Sequence, residues 1–194
     1  MNDLGILILR LTLGSIMFGH GAQKLFGWFG GQGLKGAHGL AGALGMRPPQ
    51  VWGTLNALGE FGGGVLTILG FLNPLGPLNI AASMYVAVRR VHWKLPIWVS
   101  EGGAEFAALN LVTAIALALG GPGRYSLDRL LGTRLPRGMA LLAWVTTLGA
   151  TGIAVRRPEL VETVVGRIGE GTAQPGASTA PEAGTDRPET EQSP

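Results

Sequence analysis

The sequence predicts an all-α protein: a transmembrane helical bundle of four helices plus a fifth, ending in a disordered C-terminal tail. Three observations carry this. Charged residues make up only 14% of the chain, against about 25% in a typical soluble domain. Five long apolar stretches follow one another along the sequence. Inside them, ionisable side chains recur at helical rather than random spacing. The 33 glycines among 194 residues fit the same picture, since glycine is commoner in membrane helices than in soluble ones. They keep no three-residue period, which excludes collagen.

The apolar stretches cover residues 4–26, 51–72, 78–91, 103–119 and 138–155. A helix needs roughly 17–25 residues to span a bilayer, so the first two suffice and the fourth is adequate. The third fits if it continues through His92 toward Trp98. The fifth carries Thr146, Thr147 and Thr151 but no charge; it is expected to span, with an interfacial or packed helix as the alternative. The start, Met1-Asn2-Asp3-Leu4, lacks a basic n-region, and Arg10 interrupts the apolar stretch. The first helix is therefore expected to be retained rather than cleaved.

The connections differ in kind. Residues 73–77, with two prolines and a glycine, read as a tight turn between antiparallel neighbours. Residues 27–50 are too apolar for a solvated loop and are expected to lie in the interface or fold into the bundle mouth. Within them Gly31-Gln32-Gly33-Leu34-Lys35-Gly36 matches the dinucleotide fingerprint letter for letter. That motif requires a βαβ unit, and here it follows a membrane helix, so it is set aside. Beyond Gly169 large apolar residues almost vanish, and a disordered tail is expected.

Trp28, Trp52, Trp93 and Trp98 fall at one membrane face in this topology, as an interfacial belt would. If the fifth helix spans, Lys35, Arg47, Lys94, Arg156, Arg157 and Arg167 share that face, opposed by Arg124, Arg129, Arg134 and Arg137. The positive-inside rule then makes the tryptophan-rich face cytoplasmic. The net charge of +3 comes without a long basic run, so nucleic acid is not an expected partner; the lipid bilayer is. With no cysteine, disulfides, zinc–thiolate sites and iron–sulfur clusters are excluded. Any redox role must use a borrowed cofactor or a quinone. No other metal constellation is present.

Arg10, His20, Lys24, Glu60, Arg89 and Glu105 lie inside or at the ends of these segments, where an unpaired charge costs several kcal/mol. At about 100° per residue, Arg10, Gly14, Met17, His20, Gly21 and Lys24 share one side of the first helix. Asn56, Glu60, Gly63, Gly64 and Thr67 share one side of the second. Tyr85, Arg89 and His92 align on the third. These faces are expected to meet in a common interior, with Glu60 and Glu105 neutralised by Arg89, Lys24 or Arg10. Three readings remain open: structural ion pairs that lock the bundle, a proton-handling or quinone-binding pocket, and haem held by His20 and His92. Haem is disfavoured, because nothing else demands iron. His38, in the first loop, is expected to be solvated or interfacial.

The sequence resembles the DoxX family of small prokaryotic membrane proteins. The resemblance rests on Leu9-Arg10-Leu11 and the run from Phe18 to Gly27, on Glu60-Phe61-Gly62-Gly63-Gly64, on Val91-His92, on Gly102-Gly103-Ala104-Glu105-Phe106, and on Gly121-Pro122-Gly123-Arg124-Tyr125-Ser126-Leu127-Asp128. It implies a four-helix membrane domain over residues 1–132, with 133–168 an additional hydrophobic helix and basic end, and 169–194 the tail. It also implies a multi-pass protein of the prokaryotic cell membrane. The family's namesake is a subunit of an archaeal thiosulfate:quinone oxidoreductase, and other members are linked to membrane oxidoreductase complexes and to thiol or oxidative stress. The implied role is therefore a membrane subunit of a redox system, with a partner oxidoreductase subunit and a quinone as the expected companions. Its pocket for ligand or protons would be formed by His20, Lys24, Glu60, His92 and Glu105, supported by ion pairs of Arg10 and Arg89. The alternatives are a non-enzymatic membrane anchor or scaffold and, less favoured for want of an inverted repeat, a small-solute transporter.

Overall fold

The computed structural model describes residues 2–133, 135–163 and 165. The expected disordered tail beyond Gly169, and the charges of Arg134 and Arg167, lie outside them. Among the described residues the chain is all-helical, with no strand.

Helix α1 (Asp3–Phe26) starts where the Asn2 side chain accepts a hydrogen bond from Gly5 N and stops at Gly27, which takes the left-handed conformation. The apolar connection does not run as a loop. After a 3₁₀ turn (Trp28–Gly30) it forms α2 (Gly33–Ala43), packed against α1 and the next helix. This is the segment expected to fold back, and its glycine content hid a helix. α3 (Pro49–Leu69) opens with proline in its first turn, where no N–H is needed, and closes on left-handed Gly70. It therefore ends three residues before the expected boundary at 72. α4 (Leu75–Val86) begins inside the stretch read as a turn. Pro77 sits in its first turn, where its missing donor and fixed φ do no harm.

The end of α4 departs most from expectation. Ala87–His92 winds as a π-helix, whose i→i+5 bonding rotates side chains out of α-helical register. Tyr85, Arg89 and His92 consequently do not share an interior face, and Tyr85 is exposed. α5 (Glu105–Gly120) follows a 3₁₀ turn (Val99–Glu101), then α6 (Leu127–Leu131), capped by Ser126, and α7 (Arg137–Arg156).

The helices α1, α3, α4 and α5 pack in a ring, each touching the next and α5 returning to α1. Their core contains Leu13, Met17, Ile80, Met84, Ala114 and Leu117. Glycine sets the spacing. A Cβ on Gly21 would fall within the Phe61 backbone, and one on Gly14 would lie 2.9 Å from Gly64 O. Small residues facing each other let helix backbones approach this closely. α7 lies outside the ring and leans on α4. Of the described helices, α1 and α7 are long and apolar enough to cross a membrane. The fifth stretch, left between two readings by its sequence, is thus a continuous 20-residue helix.

Candidate functional site

Glu60 stands midway along α3 and is 2% exposed. The glycines that follow it explain why groups from two other helices reach it. Gly64 admits α1 at Phe18 and Gly14, while Gly63 admits α4 at Gly76 and Ile80. Drawn in this way, Lys24 from the last turn of α1 donates from Nζ to both Glu60 oxygens at 2.6 Å. Ser83 of α4 donates to Glu60 Oε1 at 2.9 Å, and Asn56, one turn earlier on α3, donates to the same oxygen at 3.3 Å. Ser83 Oγ also lies within hydrogen-bond reach of Asn56 Oδ1. One hydroxyl hydrogen thus serves two acceptors.

The cluster forms the polar end of a 290 Å³ cavity whose surface is otherwise largely apolar. Leu40 and Ala41 of α2, Leu55 and Gly59 of α3 and Val86 of α4 line it, and α7 contributes Ala150, Thr151 and Ala154. The end of α7 is docked by Trp52. That side chain is buried, packs with Met46 and Ala154, and donates from Nε1 to Arg47 O and Pro158 O at 3.1 and 3.2 Å. Trp52 is therefore not a belt residue, unlike the exposed Trp28, Trp93 and Trp98.

The other ionisable groups go elsewhere. Arg10 is 3% exposed, but among the described residues it meets no carboxylate in an ion pair. It donates to Thr67 O and Ile68 O in the last turn of α3, and to Pro122 O and Tyr125 O beyond α5, at 2.6–2.9 Å. A guanidinium on a helix C-terminus meets the negative end of its dipole; here it also staples the loop 121–126 to α3. The expected ion pair of Arg10 is thus replaced by backbone carbonyls. Arg89 likewise finds no carboxylate among the described residues and lies 3.8 Å over the Trp93 ring, a cation–π contact. His92 Nδ1 is 2.6 Å from Gly102 O. His20 is exposed on α1, with its ring edge-on to Phe106. Glu105 opens α5, where its side chain lies in the positive end of the helix. None of these three lines the cavity. His38, expected to be solvated or interfacial, bonds to Thr54 at 2.9 Å and ties α2 to α3.

Two participants were not singled out from sequence. Ser83 is one serine in an apolar helix and carries no spacing signal. Asp128 accepts from Leu72 N, Asn73 N and Thr133 Oγ1 at 2.8–2.9 Å, and so holds the α3–α4 turn beside the Arg10 staple. It lies in a motif that the resemblance used, although no role was assigned to it.

Comparison with known proteins places these residues in a family. The DoxX family model matches residues 5–93. The Bacillus subtilis protein named "Putative oxidoreductase CatD" is 33% identical over 126 residues, covering 65% of this chain and 86% of that one. The chain belongs to the DoxX family. A second relative, "Inner membrane protein YqjF" of Escherichia coli, is 30% identical over 135 residues, covering 68% of this chain and 95% of its own. No solved structure matches. As a DoxX protein with two helices of membrane-spanning length and composition, it is a prokaryotic membrane protein. The DoxX match contains Lys24, Asn56, Glu60 and Ser83, and it stops at residue 93. The cavity wall formed by α7 therefore lies outside it.

Proposed function

We propose that this chain is a multi-pass protein of the prokaryotic cell membrane that serves as the membrane subunit of a quinone-linked redox system, of the thiosulfate:quinone oxidoreductase or oxidative-stress kind. The observation that carries the proposal is the buried Lys24–Glu60 pair, joined by Ser83 and Asn56, at the end of a mostly apolar cavity. A site of this make-up, apolar with a few convergent polar groups, is the usual form of a small-molecule site. The third ammonium hydrogen of Lys24 and the second amide hydrogen of Asn56 supply donors for a quinone carbonyl. Reduction to the quinol takes two electrons and two protons. The electrons come from the reduced centre of a partner oxidoreductase subunit, and the protons pass through the Glu60 carboxyl. The relative named as an oxidoreductase supports the redox assignment. Substituting Glu60→Gln should abolish quinone-dependent turnover in the intact complex, and wild-type activity in that variant would refute the assignment.

A scaffold role is the second reading, and Arg10 favours it. There a buried charge is held by four main-chain carbonyls. If Lys24 and Glu60 do the same, neutralising both together leaves the phenotype intact.

A further inference from the structure

The cavity has a mouth, and the residues at its rim decide what enters. Leu40, Leu55 and Val91 line the cavity and are also 50%, 54% and 38% exposed. The exposed part of the lining is mostly aliphatic, with Asn79 its exposed polar residue and Lys24 partly exposed. α7 leans on α4 and has little direct contact with α3, its Ala154 clustering with Trp52 of α3 and Ala41 of α2 near its C-terminal end. Between α3 and α7 the cavity wall is formed by Leu55 and Gly59 on one side and Ala150, Thr151 and Ala154 on the other. Along the rest of α7, Leu141, Leu142, Val145 and Leu148 are 57–65% exposed, as expected of a face in contact with lipid. The side of α7 toward the cavity is small and non-polar. It consists of Ala150, Ala154 and Thr151, whose hydroxyl is already bonded to Thr147 O at 2.6 Å.

We propose that the Glu60 cavity fills sideways from the hydrocarbon of the bilayer, between α3 and α7, and that α7 is the wall that sets the size of the occupant. The occupant is a membrane-dissolved amphiphile. Its polar head reaches Asn56 and Lys24, while its apolar tail remains between α3 and α7. The 290 Å³ volume lies at the lower edge of small-molecule sites, which run from about 300 to 1,000 Å³. That leaves room for a quinone head group. The α7 wall lies beyond the residues matched to the family model. The inference rests on the quinone reading above.

The test uses the full chain in phosphatidylcholine nanodiscs with radiolabelled decylubiquinone, a one-ring quinone with a ten-carbon tail. Protein-free discs provide the background. Ala150→Trp should lower retained ligand at least tenfold, and Ala150→Leu should give an intermediate loss. Leu148→Trp, on the lipid face of the same helix, should retain wild-type binding. Leu55→Trp should slow uptake several-fold with less effect on the final amount. Retention by Ala150→Trp equal to wild type, in a variant that elutes and melts like wild type, would overturn the role of α7. Unchanged uptake by Leu55→Trp would overturn the lateral route. In both cases loss of turnover in Glu60→Gln would leave the quinone assignment standing. Failure of the wild-type chain to bind decylubiquinone would overturn this inference and that assignment together.

Discussion

Substituting Lys24→Met removes one half of a pair whose halves are unequally placed. The Glu60 side chain is 3% exposed and the Lys24 side chain 26%. Without Lys24, the carboxylate remains in the interior with only Ser83 and Asn56 to satisfy it. Orphaning a buried charge costs about 3–5 kcal/mol, and the two remaining hydrogen bonds place this case at the lower end, about 3 kcal/mol. Glu60→Gln should cost less, about 1 kcal/mol, because glutamine still accepts from Ser83 and the lysine can turn its ammonium toward the interface. The double substitution leaves no buried charge and should be no worse than Glu60→Gln, which gives a coupling of about 3 kcal/mol between the sites. Reversible unfolding by sodium dodecyl sulfate in mixed micelles, followed by far-ultraviolet circular dichroism, measures all four corners of the cycle. A double variant as unstable as Lys24→Met, or a Lys24→Met variant within 1 kcal/mol of wild type, would refute the reasoning.

Two further outcomes follow from the staples around the site. Arg10→Lys keeps the charge but cannot span the four carbonyls that the guanidinium holds; the same unfolding assay should show a loss of about 3 kcal/mol, from roughly two charge-assisted hydrogen bonds. Trp52→Phe removes the donor that holds Pro158 O and frees the end of α7, so trypsin should cut after Arg156 several-fold faster than in wild type, with the rate at Lys94 unchanged.

What the sequence disclosed, and what it hid, follows from how each feature is encoded. A charge in an apolar helix stands out on energetic grounds, and Glu60 and Lys24 were found in this way. Their pairing was one of three weighed for Glu60, with Arg89 and Arg10 the other cations, and it is Lys24 that meets it. Arg10 was equally visible, but its partners are main-chain carbonyls, and every residue has one. Sequence could therefore reveal that Arg10 is buried without revealing what satisfies it. Arg89 and His92 were misplaced because the 3.6-residue period was carried through a segment that winds as a π-helix. The side-chain pattern alone does not mark that change. α2 was read as a connection because its glycines and short apolar run look alike in a loop and in a packed helix. Ser83 and the α7 wall of the cavity are products of packing: a serine or an alanine gains its role only when the neighbouring helices arrive. The apolar period of α1, by contrast, was legible almost to the residue, because that helix is long, capped and uninterrupted.

The central claim is that the Glu60 cavity holds a quinone. It is tested most directly by extracting the detergent-purified full chain with organic solvent and quantifying quinone per chain, for wild type and for the stable Lys24→Met/Glu60→Gln double variant. The account predicts close to one quinone per wild-type chain and little or none in the variant. Equal amounts from both, or none from the wild type, would contradict it.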